Sequence, residues 1–333
     1  MISTQTKKIT KKCREEKMLA TIGLATGSVI ATPLVGSTAI QSTPQPNNNF
    51  SLNGKAAIVT GAARGIGRAI VVALADAGAD IMGVDICAAA STETTYKPST
   101  KQDLNDTAKL VQAKQRRFIS VVADIRDIKV MQDAADKAVK EFGKIDILVA
   151  NAAIQTYVPI AQMNQKAWTD IIEVNVNGTF NTVSAVINQM IAQKSGRIIM
   201  ISSGIGRHGA RQMGNYCASK WAIMGFMKSL ALEVAENNIT VNTVEPGLVD
   251  TPLTRNPGRW NIALKEAGES PQDNPKEEDV IAARLKNQSV QKIPWMQPED
   301  VAPAVVFLCT DAAYRITGAS YDATAGDSAK YTA

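Results

Sequence analysis

One histidine, His208, and four scattered cysteines, Cys13, Cys87, Cys217 and Cys309, are all the imidazole and thiol this chain holds. With no C-x-x-C pair and a single imidazole, the residues argue against a zinc site and a disulfide framework, so no metal is expected. Cys217 has no base paired with it and reads as a small buried filler rather than a nucleophile. A positive surplus is missing too, once its location is considered. Of 36 Lys+Arg and 31 Asp+Glu, six basic and two acidic residues fall within positions 1–39, leaving 30 and 29 in the body. The +5 formal charge therefore belongs to the leader, and gives no case for a nucleic-acid partner.

The leader also lacks what would settle its role. A lysine-rich start is followed by the uncharged "MLATIGLATGSVIATPLVGSTA" and the linker "IQSTPQPNNNF". This has the order of an export signal, with Ser37 and Ala39 placed for cleavage. The apolar part is weak for a membrane span, and Lys11 and Lys12 stand where a twin-arginine signal has arginines. Two readings stay open, an exported protein and a cytoplasmic one with a disordered or vestigial tail over residues 1–50. No membrane is expected for the body.

What is present from Lys55 onward is regular alternation. Short β-branched runs stand at 56–60, 81–85, 118–124, 145–151, 196–202 and 239–246, with helical spacing at 65–77, 103–115, 126–142, 164–193 and 215–237. A further helix after "QPEDV" and a strand near "GASYDAT" complete the pattern. Strands apolar on both faces, alternating with helices, predict a doubly wound α/β fold: a Rossmann-type parallel sheet of about seven strands covered on both sides. Residues 51–333 read as one domain. Within it, 252–297 is too long for an ordinary connection and is expected to form a lid or substrate loop.

The first strand runs straight into "TGAARGIG", residues 60–67. Gly61, Gly65 and Gly67 permit a tight turn and close backbone approach, while amides at the following helix start attract a pyrophosphate. Asp85 ends the second strand, 18 residues after Gly67, where an acid hydrogen-bonds a ribose 2′-hydroxyl in dinucleotide-binding folds. Arg64 competes, since a basic residue there could receive a 2′-phosphate. At short range Asp85 repels that phosphate, so NAD is expected rather than NADP.

In "GNYCASKWAIMGF", Tyr216 and Lys220 lie four apart on a helix and share a face. A neighbouring ammonium favours phenolate, which predicts a lowered tyrosine pKa and a tyrosine serving as acid/base in place of histidine. Ser203 precedes Tyr216 by thirteen residues, and Asn175 lies in "EVNVNGTF".

Taken in order, these motifs resemble the short-chain dehydrogenase/reductase family over residues 52 to about 326. "TGAARGIG" matches its T-G-x-x-x-G-x-G turn, Asp124 in "VVADIRD" its adenine-side acid, and "ANAA" its N-A-G stretch with Ala for Gly. Asn175, Ser203, Tyr216 and Lys220 match its tetrad, and "EPGLVDT" its P-G-x-x-x-T segment. The resemblance implies hydride transfer between NAD(H) and a secondary alcohol or ketone. Tyr216 would move the proton, Ser203 hold the substrate oxygen, Lys220 bind the nicotinamide ribose while tuning Tyr216, and Asn175 hold a relay water. Thr251 would bind the carboxamide. Cofactor contacts are implied for Gly61, Arg64, Gly65, Ile66, Gly67, Asp85, Asp124, Ile125, Asn151, Ala152, Ala153, Pro246, Gly247, Val249 and Thr251, beside Tyr216 and Lys220.

A narrower likeness to the carveol dehydrogenase-like branch lies in "DICAAASTETTYKPSTKQDLNDTAKLV" and "IPWMQPEDVAPAVVFLCTDAAYRITG". Some members of that branch hold nicotinamide so tightly that another carrier reoxidises it. The likeness is partial, since Glu245 stands where that branch has histidine. His208, near Ser203, is either a substrate contact or a plain loop residue. Trp168, Trp221, Trp260 and Trp295 all read as packing residues, although Trp260 and Trp295 fall in or beside the lid and could touch substrate. The helix near 164–193 is similar to the family's dimerisation helix, which implies a homo-oligomer, dimer or tetramer. Two functions follow, an alcohol dehydrogenase or a non-catalytic dinucleotide-binding sensor or scaffold. An intact Asn, Ser, Tyr and Lys set favours the enzyme.

Overall fold

Side chains on successive strand residues point to opposite faces of a sheet, and both faces of this one are apolar. In a computed structural model, which describes residues 50–287 and 290–330, strand β1 (Ala56–Thr60) sends Ala57 and Val59 into one core and Ile58 into another. Strand β5 (Gly196–Ile201) repeats this, with Ile199 and Ile201 on the first side and Ile198 and Met200 on the second. The remaining strands are β2 (Asp80–Asp85), β3 (Phe118–Val122), β4 (Ile147–Ala150), β6 (Ile239–Pro246) and β7 (Ser320–Ala323). All pair in parallel, in the order β3-β2-β1-β4-β5-β6-β7. This is the expected Rossmann-type sheet of seven strands.

Helices cover both sides. On the first lie α1 (Gly65–Asp76), α2 (Lys101–Gln112) and α9 (Pro298–Cys309), contributing Ile70, Leu74, Leu104, Val301 and Leu308. On the second lie α3 (Ile128–Phe142), α5 (Gly178–Gln193) and α6 (Gly214–Val234), contributing Met131, Val186, Met190, Ile223 and Met227. The outer strand β3 is only half-buried, as an edge strand with one neighbour should be.

Three local features depart from the sequence expectation. Helix α2 starts at Lys101 rather than 103, because Thr100 and Asp103 cap its start reciprocally, Asp103 N to Thr100 Oγ1 at 3.1 Å and Thr100 N to Asp103 Oδ2 at 2.8 Å. The segment expected as one helix at 164–193 is α4 (Gln165–Ile172), a π-helical turn (Glu173–Asn177) and α5. The amide of Gly178 reaches the Glu173 carbonyl, five residues back, at the turn that carries Asn175. Residues 252–297, finally, carry two helices, α7 (Pro257–Glu266) and α8 (Glu277–Asn287). Asn256 caps α7 through Arg259 N at 3.1 Å, with Pro257 at its first position. A small core of Ala263, Leu264, Ala267, Val280, Ala283 and Trp295 joins the two.

The leader reading, residues 1–49, lies outside the described residues. Among the described residues, no helix is long and apolar enough to cross a membrane.

The β1–α1 turn leaves no room for a methyl group. A Cβ on Gly67 would lie 2.0 Å from the Gly61 carbonyl oxygen and 2.7 Å from Asn151 Nδ2. Gly67→Ala is expected to lose about 1–3 kcal/mol of stability through forced backbone movement. Gly225→Ala, in α6 with nothing within 4 Å of the new atom, should be neutral or gain up to about 1 kcal/mol. Urea unfolding of the two variants checks the pair, and an unchanged midpoint for Gly67→Ala would show that the turn is looser than described.

Candidate active site

The strand order reverses between β1 and β4, so the loops leaving their carboxyl ends diverge and open a crevice. One cavity of about 1150 Å³ fills it. Every site residue expected from the sequence lines this cavity except Asn175.

The first half of the cavity contains the glycine turn and Asp85. Gly61 and Gly65 have φ of +68° and +55°, conformations that favour glycine, and turn the chain so that α1 presents its free amides to the crevice. Beside them Asp85 is buried, and both of its oxygens are engaged. Ala63 N donates to it at 3.0 Å, Cys87 N at 2.9 Å and Ser99 Oγ at 2.6 Å. Arg64, its competitor in the sequence, turns to the carbonyls of Pro98 at 3.1 Å and Lys97 at 2.5 Å. The loop after β2 thus occupies the guanidinium and adds Tyr96 and Ser99 to the cavity wall. Neither residue was singled out from the sequence, since nothing local marks a loop that folds back over a crevice.

Asp124 also lines the cavity, held by Arg126 Nε at 2.9 Å and Nη2 at 2.5 Å. Burial raises its pKa, but the Arg126 side-chain and backbone hydrogen bonds outweigh this and keep it below the usual carboxylate range. Asn151 holds the seam shut. Its amide and that of Ala152 donate to Thr60 Oγ1 at 3.1 and 3.2 Å, and its Nδ2 donates to the Thr60 carbonyl at 2.9 Å.

In the second half, Ser203 leaves the end of β5 and hydrogen-bonds the phenol of Tyr216, on the first turn of α6. Lys220, one turn further on, is buried with its Nζ 5.5 Å from the centre of the Tyr216 ring and 2.8 Å from the Ile201 carbonyl. The three side chains come together as the spacing predicted, but the electrostatics differ. Burial, then the neighbouring Tyr157, push the Tyr216 phenol well above its ordinary value, with Ser203 pulling the other way. Burial likewise pushes Lys220 down to about 7. The expected lowering of the tyrosine is therefore corrected: an ammonium over the ring face, itself desolvated, does not offset the burial of the hydroxyl.

Asn175 stands behind the cavity wall. Its Oδ1 accepts from Ile154 N at 2.9 Å, and its Nδ2 donates to the Ile154 carbonyl and Ser219 Oγ, both at 3.0 Å. The side chain ties the π-turn to the β4 loop and to α6, leaving none of its amide groups directed at the cavity.

His208 lines the cavity, on the loop between Ser203 and Tyr216. Trp260 and Trp295 do not. They stack on each other, 6.5 Å apart, inside the lid's own core. Trp168 and Trp221, expected as packing residues, are 40% and 54% exposed. Glu245 is fully buried in β6 and takes the Arg207 Nε at 2.5 Å, with Thr243 Oγ1 at 3.3 Å. This pair anchors the loop that carries Ser203 and His208.

Residues 55–261 match the family model for short chain dehydrogenases. The (-)-trans-carveol dehydrogenase of Rhodococcus erythropolis is 34% identical over 282 residues, which cover 84% of this chain and 99% of that protein. A putative short-chain type dehydrogenase/reductase of Mycolicibacterium smegmatis shows the same identity and coverage. The crystal structure of carveol dehydrogenase from Mycobacterium avium in complex with NAD superposes with a TM-score of 0.77 at 33% identity, covering 82% of this chain and 98% of that one.

Lys220 gives the site a pH signature. Its pKa of about 7 lies below the free value of 10.5, so between the two the unfolded chain binds more protons than the folded one. Its contribution to stability therefore rises with pH across that window and is least favourable below it. Lys220→Met removes the effect. The stability of the variant relative to the parent should be greatest near neutral pH and decline towards pH of about 10. Thermal unfolding of both proteins over that range checks it, and a constant difference would mean that Lys220 does not titrate there.

Proposed function

The chain belongs to the short-chain dehydrogenase/reductase family, and from that premise we propose that it moves a hydride between NAD(H) and a secondary alcohol or ketone, with Tyr216 as the acid/base. The observation that carries the reading is the Tyr216 phenol, hydrogen-bonded to Ser203 and backed by buried Lys220, in the same cavity as the glycine turn and Asp85. A non-catalytic dinucleotide sensor has no use for that set.

The residues present fit NAD. Glycines too crowded to carry a Cβ leave backbone amides exposed to a pyrophosphate, and an anionic Asp85 accepts from hydroxyls while repelling a 2′-phosphate. The nicotinamide-bound relatives of known structure support the same cofactor. When bound, NAD supplies the carbon that accepts or gives the hydride. Around it, Gly61, Gly65, Ile66 and Gly67 would hold the phosphates, Asp85 and Ser99 a ribose, Asp124 and Ile125 the adenine side, and Pro246, Gly247, Val249 and Thr251 the nicotinamide side.

A buried, protonated Tyr216 is suited to give a proton to a carbonyl oxygen, and Ser203 to steady that oxygen as charge develops. Lys220, with a pKa of about 7, can exchange a proton with its surroundings at neutral pH. Asn175 acts as a positioning residue, because its side chain is committed to Ile154 and Ser219. Tyr216→Phe keeps the shape and removes the proton. It should lower kcat by roughly 100 to 10,000-fold with NAD affinity largely retained. Steady-state kinetics on a panel of secondary alcohols, with NAD binding measured alongside, test the assignment; half-retained turnover would remove Tyr216 from the mechanism.

We also propose that the working unit is the body from about residue 46, assembled as a homo-oligomer. Phe180 on α5 and Trp221 and Leu232 on α6 are 54%, 54% and 84% exposed, an apolar surface unusual for helices facing only water. A chain lacking residues 1–45 is expected to keep its kinetics and to scatter light as a dimer or tetramer. Loss of turnover on truncation would mean that the leader belongs to the folded enzyme, and a monomer that the exposed face has another use.

A further inference from the structure

The lid brings two arginines within one turn of each other, and they are treated oppositely. Arg255 is fully matched: Asp250 takes it with two bonds at 2.6 and 2.8 Å, Glu277 closes on it, and its guanidinium lies over the Trp295 ring. Arg259 lines the cavity, and its Nη1 is enclosed with no hydrogen-bond acceptor among the described residues. No described carboxylate forms an ion pair with it. An enclosed guanidinium nitrogen without an acceptor is costly, and its most favourable partner is a carboxylate, which matches the planar fork.

Its neighbours place it beside the reacting groups. Tyr157 packs with Met213, Tyr216 and Cys217. It also lies against the start of the lid, where a Cβ on Gly258 would meet its ring at 3.4 Å and its hydroxyl reaches the Leu253 carbonyl at 3.3 Å. Burial raises the Tyr157 phenol, and the Arg259 charge is close enough to oppose it. Tyr157 in turn acts on Tyr216. Tyr157 thus touches both the group that holds Tyr216 and the start of the lid, one residue before Arg259.

We propose that Arg259 is a specificity residue that receives a carboxylate on the substrate, so that the alcohols and ketones this enzyme takes are hydroxy and oxo acids. The reacting oxygen sits at Tyr216 and Ser203, and the carboxylate at the lid. This rests on the dehydrogenase reading above. It gives the lid a chemical purpose, since α7 can present Arg259 to the cavity only when the lid is folded over it.

The test compares hydroxy acids of four and five carbons with their methyl esters, using the full chain and NAD. The parent should prefer acid to ester in kcat/KM by about tenfold or more, Arg259→Gln should erase that preference, and Arg259→Lys should retain part of it. Equal use of ester and acid by the parent, or a preference that survives Arg259→Gln, overturns the proposal. Binding of the same acids, read from quenching of tryptophan fluorescence, separates this claim from the one beneath it. Acids that bind the parent and not Arg259→Gln, with no turnover of acid, ester or neutral alcohol, would uphold the carboxylate site and sink the dehydrogenase. Acids that neither bind nor react, beside neutral alcohols that do, would overturn the carboxylate site and leave the dehydrogenase standing.

Discussion

The seam between β1 and β4 is the constraint on which the rest depends. At that point neighbouring strands send their connections to opposite faces of the sheet, and the carboxyl ends would splay if nothing joined them. Thr60 and Asn151 join them through side chain and backbone together. Gly61 and Gly67 are the consequence, because a methyl on either would strike Asn151 Nδ2 at 2.7 Å. The glycine turn and the clamp that closes the sheet are therefore one structure, and changing either changes both.

The half of the cavity around Tyr216 follows a second rule, that buried polar groups are fixed by partners on elements distant in sequence. Lys220 on α6 reaches Ile201 at the end of β5, and Asn175 in the π-turn reaches Ile154 and Ser219. A desolvated ammonium and a fully bonded amide lower stability or contribute little to it, yet they remove freedom from Tyr216 and Ser203. Preorganisation of this kind matters most where charge develops during reaction.

Much of this was legible because the signals are local. Short β-branched runs set between helically spaced segments gave the strands, glycines gave the turn, and the four-residue spacing of Tyr216 and Lys220 put them on one helical face. What was not legible depends on contacts across the fold. Nothing in "EVNVNGTF" announces a π-turn, since its five-residue hydrogen bond is set by how α4 and α5 pack. The pKa of Tyr216 went the other way for a similar reason: spacing supplies a neighbouring charge, whereas burial is a property of the whole molecule. For Trp260 and Trp295 the sequence left packing and substrate contact both open, and packing holds because the lid has a core of its own and they fill it.

Glu245 shows how one departure from a family pattern is absorbed. A carboxylate in the middle of a sheet, fully buried, needs a cation, and the side chain that meets it is Arg207 from the loop between Ser203 and Tyr216. Arg207 also approaches Asp322 on the edge strand at 3.7 Å and the Ser320 carbonyl at 3.4 Å. The loop is thereby tied to β6 and β7, the far side of the sheet from the dinucleotide half. A histidine at position 245 would bring no negative charge to that arginine, whereas Glu245 supplies one. Glu245 and Arg207 thus act as one pair, and its effect falls on the wall of the cavity that carries Ser203 and His208. Two elements that border the cavity are thus held in place by their own arginine ion pairs, Arg207 with Glu245 on one side and Arg255 with Asp250 and Glu277 at the lid. Arg259 is left to meet what enters.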